Sequence, residues 1–505
     1  MKPQFIHEFL LAHADGRGLQ TAIISADGVV THRELAEAAV MMANDLRALG
    51  LQPGQAVVVL ADPSIEAVAL VCACSIVGAV YVPVDADAPR DRQSGIICDV
   101  DAALVVSGAN RPIADWTERC CAVLGPGFVL TEASEAKVVP APADLRPEVR
   151  GPNDACYMLF TSGTTGKPKG IVMSHRAVLV FWESLIRHVN PTRDPGLRVG
   201  SFSSLHFDFS LLDWGLGLGS GGSVALIDRV LFHQPRAFLT ALHDLRVILM
   251  SGVPSLWANV LKFEPGRVAS LRGTLRALLF AGEAFPVPWL HSLRDQLPGL
   301  RLINCFGHSE SIACTFYDLP DPLPVDWTDL PISWRSTSGE LFLLNKEGAV
   351  GEIAVRSRAL FDGYFRDPEA TAAALIEDPV NSLAPPVFLS GDLGEVGPDG
   401  LLRFRGRRDN QVKVLGNRVE LEEIDAHAMS VRGVQAAVAV KSGEEIWLAV
   451  EPSPSSEPDL VDSVANHLRL NVPRYMVPSR IRLVVGIHRN VNGKADRRRM
   501  LEEMM

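Results

Sequence analysis

The chain has 505 residues, 47% of them hydrophobic, which is too long for one core and ample to bury the cores of two or three domains. Its formal net charge of −11 argues against general nucleic-acid binding. The eight cysteines show neither CxxC nor zinc-type spacing and read as reduced thiols of a cytoplasmic protein.

From the N-terminus, Met1 to Glu8 carries no apolar signal region, so export is not expected. Ala56 to Leu60 (strand), Ser64 to Val77 (helix), Ala79 to Val84 (strand), Pro89 to Asp99 (helix) and Ala103 to Ser107 (strand) read as βαβαβ with right-handed crossovers. Ala67 to Val84 is free of charge, but Gly78 and Pro83 interrupt it, and a buried helix turning into a buried strand fits better than a membrane span. A second set comprises a helix from near Ser174, a strand at Val224 to Leu226, a helix at Gln234 to Leu245, and strands at Val247 to Met250 and Ala277 to Phe280. From Gly339 the texture changes to short strands and turns, the mark of a β-rich subdomain. The last hundred or so residues, with helices at Glu420 to Met429 and Leu460 to Leu470 and strands at Gln435 to Val440 and Ile446 to Val450, form a small α+β unit. The expected fold class is α/β, with parallel βαβ subdomains and a β-rich subdomain in a large N-terminal part.

The most informative segment is Leu159-Phe-Thr-Ser-Gly-Thr-Thr-Gly-Lys-Pro-Lys-Gly170, with three glycines, one serine and three threonines around two lysines. Glycines let a backbone approach an anion, hydroxyls and N–H groups donate to its oxygens, and lysines offset its charge, so the loop suits a polyphosphate. It is not a Walker loop, because Thr161 stands where that pattern needs glycine and Pro168 where it needs Ser or Thr.

The loop resembles the signature of adenylate-forming enzymes, which make an acyl-AMP from a carboxylate and ATP and pass the acyl group to a thiol. Further segments match in the same order: Val30-Thr-His-Arg-Glu-Leu, Val80-Tyr-Val-Pro-Val-Asp, His206-Phe-Asp-Phe-Ser, Asn304-Cys-Phe-Gly-His-Ser-Glu310, Ser390-Gly-Asp392, Gly406-Arg-Arg-Asp-Asn-Gln-Val-Lys413 and Asn492-Gly-Lys494. The likeness is nearest to free-standing amino-acid adenylation domains of nonribosomal peptide synthetases and covers nearly the whole chain. It implies that Lys494 reaches the substrate carboxylate and the α-phosphate, that Glu310 holds Mg²⁺, and that Thr161, Ser162, Gly163, Thr164, Thr165, Gly166 and Lys169 cradle the β- and γ-phosphates. It places Asp392 against both ribose hydroxyls, Arg407 near ribose and phosphate, and Phe306 on adenine. Asp409 falls at the family's hinge, so residues 1–408 are expected to form the large ATP- and amino-acid-binding domain and residues 409–505 the small mobile one carrying Lys494. Two departures stand out: the related segment Tyr-Gly-Pro-Thr-Glu is Phe306-Gly-His-Ser-Glu310 here, and Ser390 replaces Thr.

Amino-acid-activating relatives carry an aspartate where this chain has Asp208, facing the substrate ammonium; a buried carboxylate there calls for a bound cation. The other positions aligning with the specificity pocket are Phe209, Leu212, Ser251, Leu279, Ala281, Cys305, Ala313 and Cys314, none of them charged. They favour a small or cyclic apolar side chain; the pattern resembles that of free-standing prolyl-activating enzymes, which implies proline first, with alanine, valine or a nonprotein relative as alternatives. No carrier segment follows Lys494 and no His-His-x-x-x-Asp motif is present, so delivery to the phosphopantetheine thiol of a separate carrier protein is expected. Coenzyme A is the second acceptor, and an inactive nucleotide-binding regulator the reading from another class. Residues 469–499 hold nine basic side chains against the single Asp496, a dock for an acidic partner or a solvated face.

Overall fold

The computed structural model describes residues 2–109, 120–133, 151–161, 168–381, 383–454, 456–489 and 495–505. They form two compact units, one of residues 1–84, 100–159 and 171–406, the other of residues 85–99, 160–170 and 407–505. The short segment 85–99 joins the second unit without any compositional signal that marks it.

Two sheets in the chain are largely parallel. In the first, the strand Ala56–Leu60 lies between Val80–Pro83 and Leu104–Gly108, both parallel to it. The helix Ile65–Val77 that links the first pair starts where the Ser64 hydroxyl accepts from the Ala67 N–H and stops at Gly78 in the left-handed region. Nearly all its residues are buried, which is why its sequence is apolar on every face rather than amphipathic. This sheet extends through Ala155–Thr161 and Lys169–Ser174, the strands on either side of the polyphosphate-type loop. Cys120–Gly125 and Val129–Glu132 add a hairpin at its other end that the sequence reading does not anticipate.

The second sheet places Arg198–Ser201, Leu249–Gly252, Ala277–Phe280 and Arg301–His308 side by side and parallel. Leu249–Gly252 begins two residues later than the expected strand: the Val247 N–H still donates to the Leu242 carbonyl at the end of the helix Pro235–Asp244, and Ile248 makes the first bonds to the neighbouring strands through Arg198 and Arg276. Its far edge is completed from the chain's start, where Thr21–Ile24 pairs in parallel with Ser223–Leu226. Leu278, Phe280 and Leu302 feed one apolar cluster on one face, and Leu279, Ile303 and Cys305 feed another on the opposite face, as period-2 alternation requires.

The region from Gly339 is antiparallel: Gly339–Glu347, Val350–Ser357, Val387–Val396 and Leu402–Arg407 follow one another across the third sheet. The second unit contains the helix Leu421–Met429 and a small sheet of Val434–Ser442, Glu445–Pro452 and Arg480–Leu483 over its own apolar cluster. Among the described residues no helix is long and apolar enough to cross a membrane.

Candidate active site

The segment Phe306-Gly-His-Ser-Glu310 ends one strand and turns into the next. Arg301–His308 and Ile312–Asp318 are antiparallel and close at the pair His308 and Ile312, which leaves Ser309, Glu310 and Ser311 as a three-residue loop. Ile312 takes a φ of 51°, a conformation a β-branched residue adopts only when its surroundings force it. Gly307 is required by space, since a Cβ there would lie 1.8 Å from the Ile312 carbonyl oxygen. The tight closure sets Glu310 at the loop's tip, 1% exposed. The Tyr364 hydroxyl donates to its Oε1 at 2.8 Å, and the Phe361 N–H donates to its carbonyl at 2.8 Å. Tyr364 in turn pairs with Ile171 in the strand that leaves the polyphosphate-type loop. A hard carboxylate oxygen held this firmly has the chemistry that Mg²⁺ takes from a protein, which typically supplies one or two such groups and leaves the rest to phosphate and water.

Asp392 owes its direction to a bulge. Between the pairs Glu352 with Leu393 and Ala354 with Leu389, the strand Val387–Val396 spends extra residues opposite its neighbour, so Ser390-Gly391-Asp392 bows out of the ladder. Gly391 has a φ of 74°, which an L side chain would strain. The Ser390 hydroxyl donates to the Ile353 carbonyl at 2.6 Å and accepts from the Asp392 N–H at 3.1 Å, stitching the bulge shut. His308 Nε2 then lies 2.8 Å from Asp392 Oδ2, joining two motifs 84 residues apart. The imidazole packs edge-on against Phe306, with ring centroids 5.1 Å apart, and against Phe388 at 5.4 Å. A carboxylate accepting from a clamped ring, beside the aromatic Phe306, fits a nucleoside whose ribose offers two donors and whose base offers a face.

The expected substrate-pocket residues fall on one side of the second sheet. Asp208 opens the helix Phe209–Gly219, and Phe209 and Leu212 lie in its first turn. Ser251 ends the Leu249–Gly252 strand and pairs in register with Leu279, and Cys305 and Cys314 lie in the following two strands. Phe209, Leu212, Leu279, Cys305 and Cys314 share one apolar cluster, with Ala281 and Ala313 packed against it. Burial pushes the Cys314 thiol up to about 12 and raises that of Cys305 as well, so both serve as small apolar walls. Asp208 is half-buried, close enough to the buried Tyr157 to help raise its phenol, after desolvation has done most of that. Of these positions, Ser251 and Leu279 lie toward the carboxyl ends of parallel strands and Ala281 just past one, where open α/β sheets bind ligands.

Three further residues belong to the site without any sequence signal that picks them out. His308, in sequence only a departure within its motif, and Tyr364 acquire meaning through partners 84 and 54 residues away. The third is Asp213, fully buried one turn after Phe209 and hydrogen-bonded through Oδ1 to the hydroxyl of Ser251. Desolvation pushes its carboxyl up to about 8 against the pull of the Ser251 and Ser201 hydroxyls, so burial favours the protonated acid.

Other expected residues belong to the second unit or lie outside the described residues. Arg407 makes a two-point ion pair with Asp409, at 2.7 and 2.6 Å, inside the second unit. Burial raises the Asp409 carboxyl, but Arg407 outweighs it and holds the group below the usual range. Thr161 ends the strand before the polyphosphate-type loop and Lys169 begins the strand after it. Ser162, Gly163, Thr164, Thr165, Gly166 and Lys494 lie outside the described residues. Three residues beyond Lys494, Arg497 is tied to the helix Leu421–Met429 through Asp425 at 2.7 Å and to the Ala439 carbonyl at 2.7 Å. In the basic segment, Arg480 and Arg482 donate to the carbonyls of Met504 and Glu503 and so satisfy the end of the last helix.

Fold and candidate site together outline an α/β enzyme of the nucleotide-binding kind, with a largely apolar pocket in the same unit. The chain belongs to the AMP-binding enzyme family, whose model matches residues 10–365. It is 28% identical to an L-proline–[L-prolyl-carrier protein] ligase of Pseudomonas fluorescens over 98% of both chains. It is 30% identical to the phenyloxazoline synthase MbtB of Mycolicibacterium paratuberculosis, matching with 99% of its own length but spanning only 42% of that protein. Among solved structures, IdnL1 superposes with a TM-score of 0.86 at 38% identity, covering 96% of this chain and 99% of that one. An adenylation domain of Vibrio cholerae, AlmE with glycyl-adenosine-5′-phosphate, shares the fold at a TM-score of 0.83 and 21% identity over 98% of this chain and 97% of that one.

Proposed function

We propose that the protein activates an amino acid with a small or cyclic apolar side chain, proline first, as its aminoacyl-AMP and passes the acyl group to the phosphopantetheine thiol of a separate carrier protein. The observation that carries the amino-acid reading is Asp208 at the start of the Phe209–Gly219 helix, beside an apolar cluster that holds Phe209, Leu212, Leu279, Cys305 and Cys314. A substrate ammonium would be stripped of water against this apolar wall and needs a counter-ion there. The match to the prolyl-carrier-protein ligase from end to end supports both the proline guess and the carrier.

In this reading ATP supplies the phosphoryl centre that the substrate carboxylate attacks, and Mg²⁺ offsets the charge that builds up on the phosphates. The residues of the chain do the rest. Asp392 accepts from the ribose hydroxyls, Phe306 covers the base, and Glu310 is the carboxylate offered to the metal. Thr161 and Lys169 bracket the loop that takes the outer phosphates, Arg407 serves ribose and phosphate, and Lys494 brings a cation to the point where two anions must meet. The hinge at Asp409, between residues 1–408 and 409–505, lets the small domain exchange its adenylating face for a thioester-forming one.

The test is Asp208→Ala in amino-acid-dependent ATP–pyrophosphate exchange. Activity on the amino acid should fall by about a hundredfold or more, the equivalent of roughly 3 kcal/mol for an ammonium left without its partner. Exchange within a few-fold of wild type would remove Asp208 from the substrate site.

A further inference from the structure

We infer that His308 is a positioning residue for the nucleotide ribose, fixing the Asp392 carboxylate in the orientation that reads the ribose hydroxyls. The inference rests on the assignment of Asp392 to the ribose made above and extends it to a residue that no motif assigns.

The geometry has three independent parts. The hydrogen bond from His308 Nε2 to Asp392 Oδ2, at 2.8 Å, is made between side chains that are only 8% and 7% exposed, so water competes poorly for either group. The ring has little freedom to leave, being held edge-on by Phe306 and by Phe388. Its backbone is fixed too, because the His308 N–H donates to Ser311 Oγ at 3.2 Å and the residue closes the strand pair with Ile312.

Asp392 needs such a guide. It sits in a bulge with a glycine before it, which points the residue out of the sheet but leaves the rotation of the carboxylate to side-chain contacts. Two ribose hydroxyls are read well only by a carboxylate whose plane is set before the nucleotide arrives, since binding then spends nothing on ordering it. His308 sets that plane, and because Phe306 holds the same imidazole, the ribose and base contacts are aligned through one side chain.

The chain carries histidine where the related segment has proline, which offers no donor. His308→Phe keeps a ring between Phe306 and Phe388 but deletes the hydrogen bond; His308→Gln keeps a donor without the ring. The readout is KM for ATP, 2′-deoxy-ATP and 3′-deoxy-ATP in pyrophosphate exchange. The expected result for His308→Phe is a rise of about tenfold in KM for ATP, a far smaller rise for the deoxy nucleotides, and kcat within a few-fold of wild type, so that discrimination between the nucleotides collapses. His308→Gln should restore at least part of that discrimination. Equal rises for all three nucleotides, or an effect on kcat alone, would overturn the inference and leave His308 a packing residue. Asp392→Asn separates the two layers: undiminished discrimination in that variant would show that Asp392 does not read the ribose at all, whereas loss there together with full discrimination in His308→Phe would overturn only the role of His308.

Discussion

Asp213 shows how much of a site a single residue can carry without announcing itself. In sequence it is one more acid on a helix, five residues after the aspartate that the motif singles out. In the structure it is fully buried and bonded to Ser251, a residue of the expected substrate pocket. Burial lifts its folded pKa to about 8, above the 3.8 of an ordinary aspartate, so between these values the folded state keeps a proton that the unfolded chain gives up. Stability contributed by that proton is fully present below about pH 4 and is lost as pH rises toward 8, at up to about 1.4 kcal/mol per pH unit for one proton. Asp213→Asn, neutral at every pH, should therefore lose less stability than wild type in denaturant titrations compared at pH 5.5 and pH 7.5. Parallel pH dependence in the two proteins would mean that the buried carboxyl is ionised and compensated by other means.

Elements position the remaining groups, and here sequence was informative to different depths. Helix and strand positions were readable because caps and apolar runs are local: Ser64 and Gly78 bracket a helix in the sequence as they do in the structure. Pairing was not readable. The Thr21–Ile24 strand, with its hairpin partner Val29–Thr31, joins a sheet whose remaining members begin near residue 198, and the bulge at Asp392 is visible only against its partner strand. The motifs named Glu310 and Asp392 from resemblance, but Tyr364 and His308, which hold them, are specified by tertiary contact alone. The hairpin that carries Glu310 offers a direct check. Gly307→Ala places a Cβ against the Ile312 carbonyl at 1.8 Å, and the loop must open to admit it, at a typical overpacking cost of about 1–3 kcal/mol. The expected outcome is a folded protein with pyrophosphate exchange reduced at least tenfold and a higher Mg²⁺ concentration needed for half-maximal activity. An unchanged Mg²⁺ requirement would argue that the position of Glu310 does not govern the metal.

At the scale of the molecule, the residues proposed for the nucleotide, Phe306, Glu310 and Asp392, and those proposed for the substrate pocket, from Asp208 to Cys314, all lie in the first unit, while Arg407, Asp409 and the anchor of the segment after Lys494 belong to the second. Such a division suits two half-reactions that share one bound substrate and differ in which residues of the second unit they use. The central claim concerns the first of them. Wild-type enzyme, ATP, Mg²⁺ and labelled pyrophosphate should exchange label only when an amino acid is present, with proline and other small or cyclic apolar amino acids at the top of a panel and their des-amino counterparts at background. Robust exchange driven by an aryl or fatty acid lacking an amine, with amino acids inactive, would contradict the account.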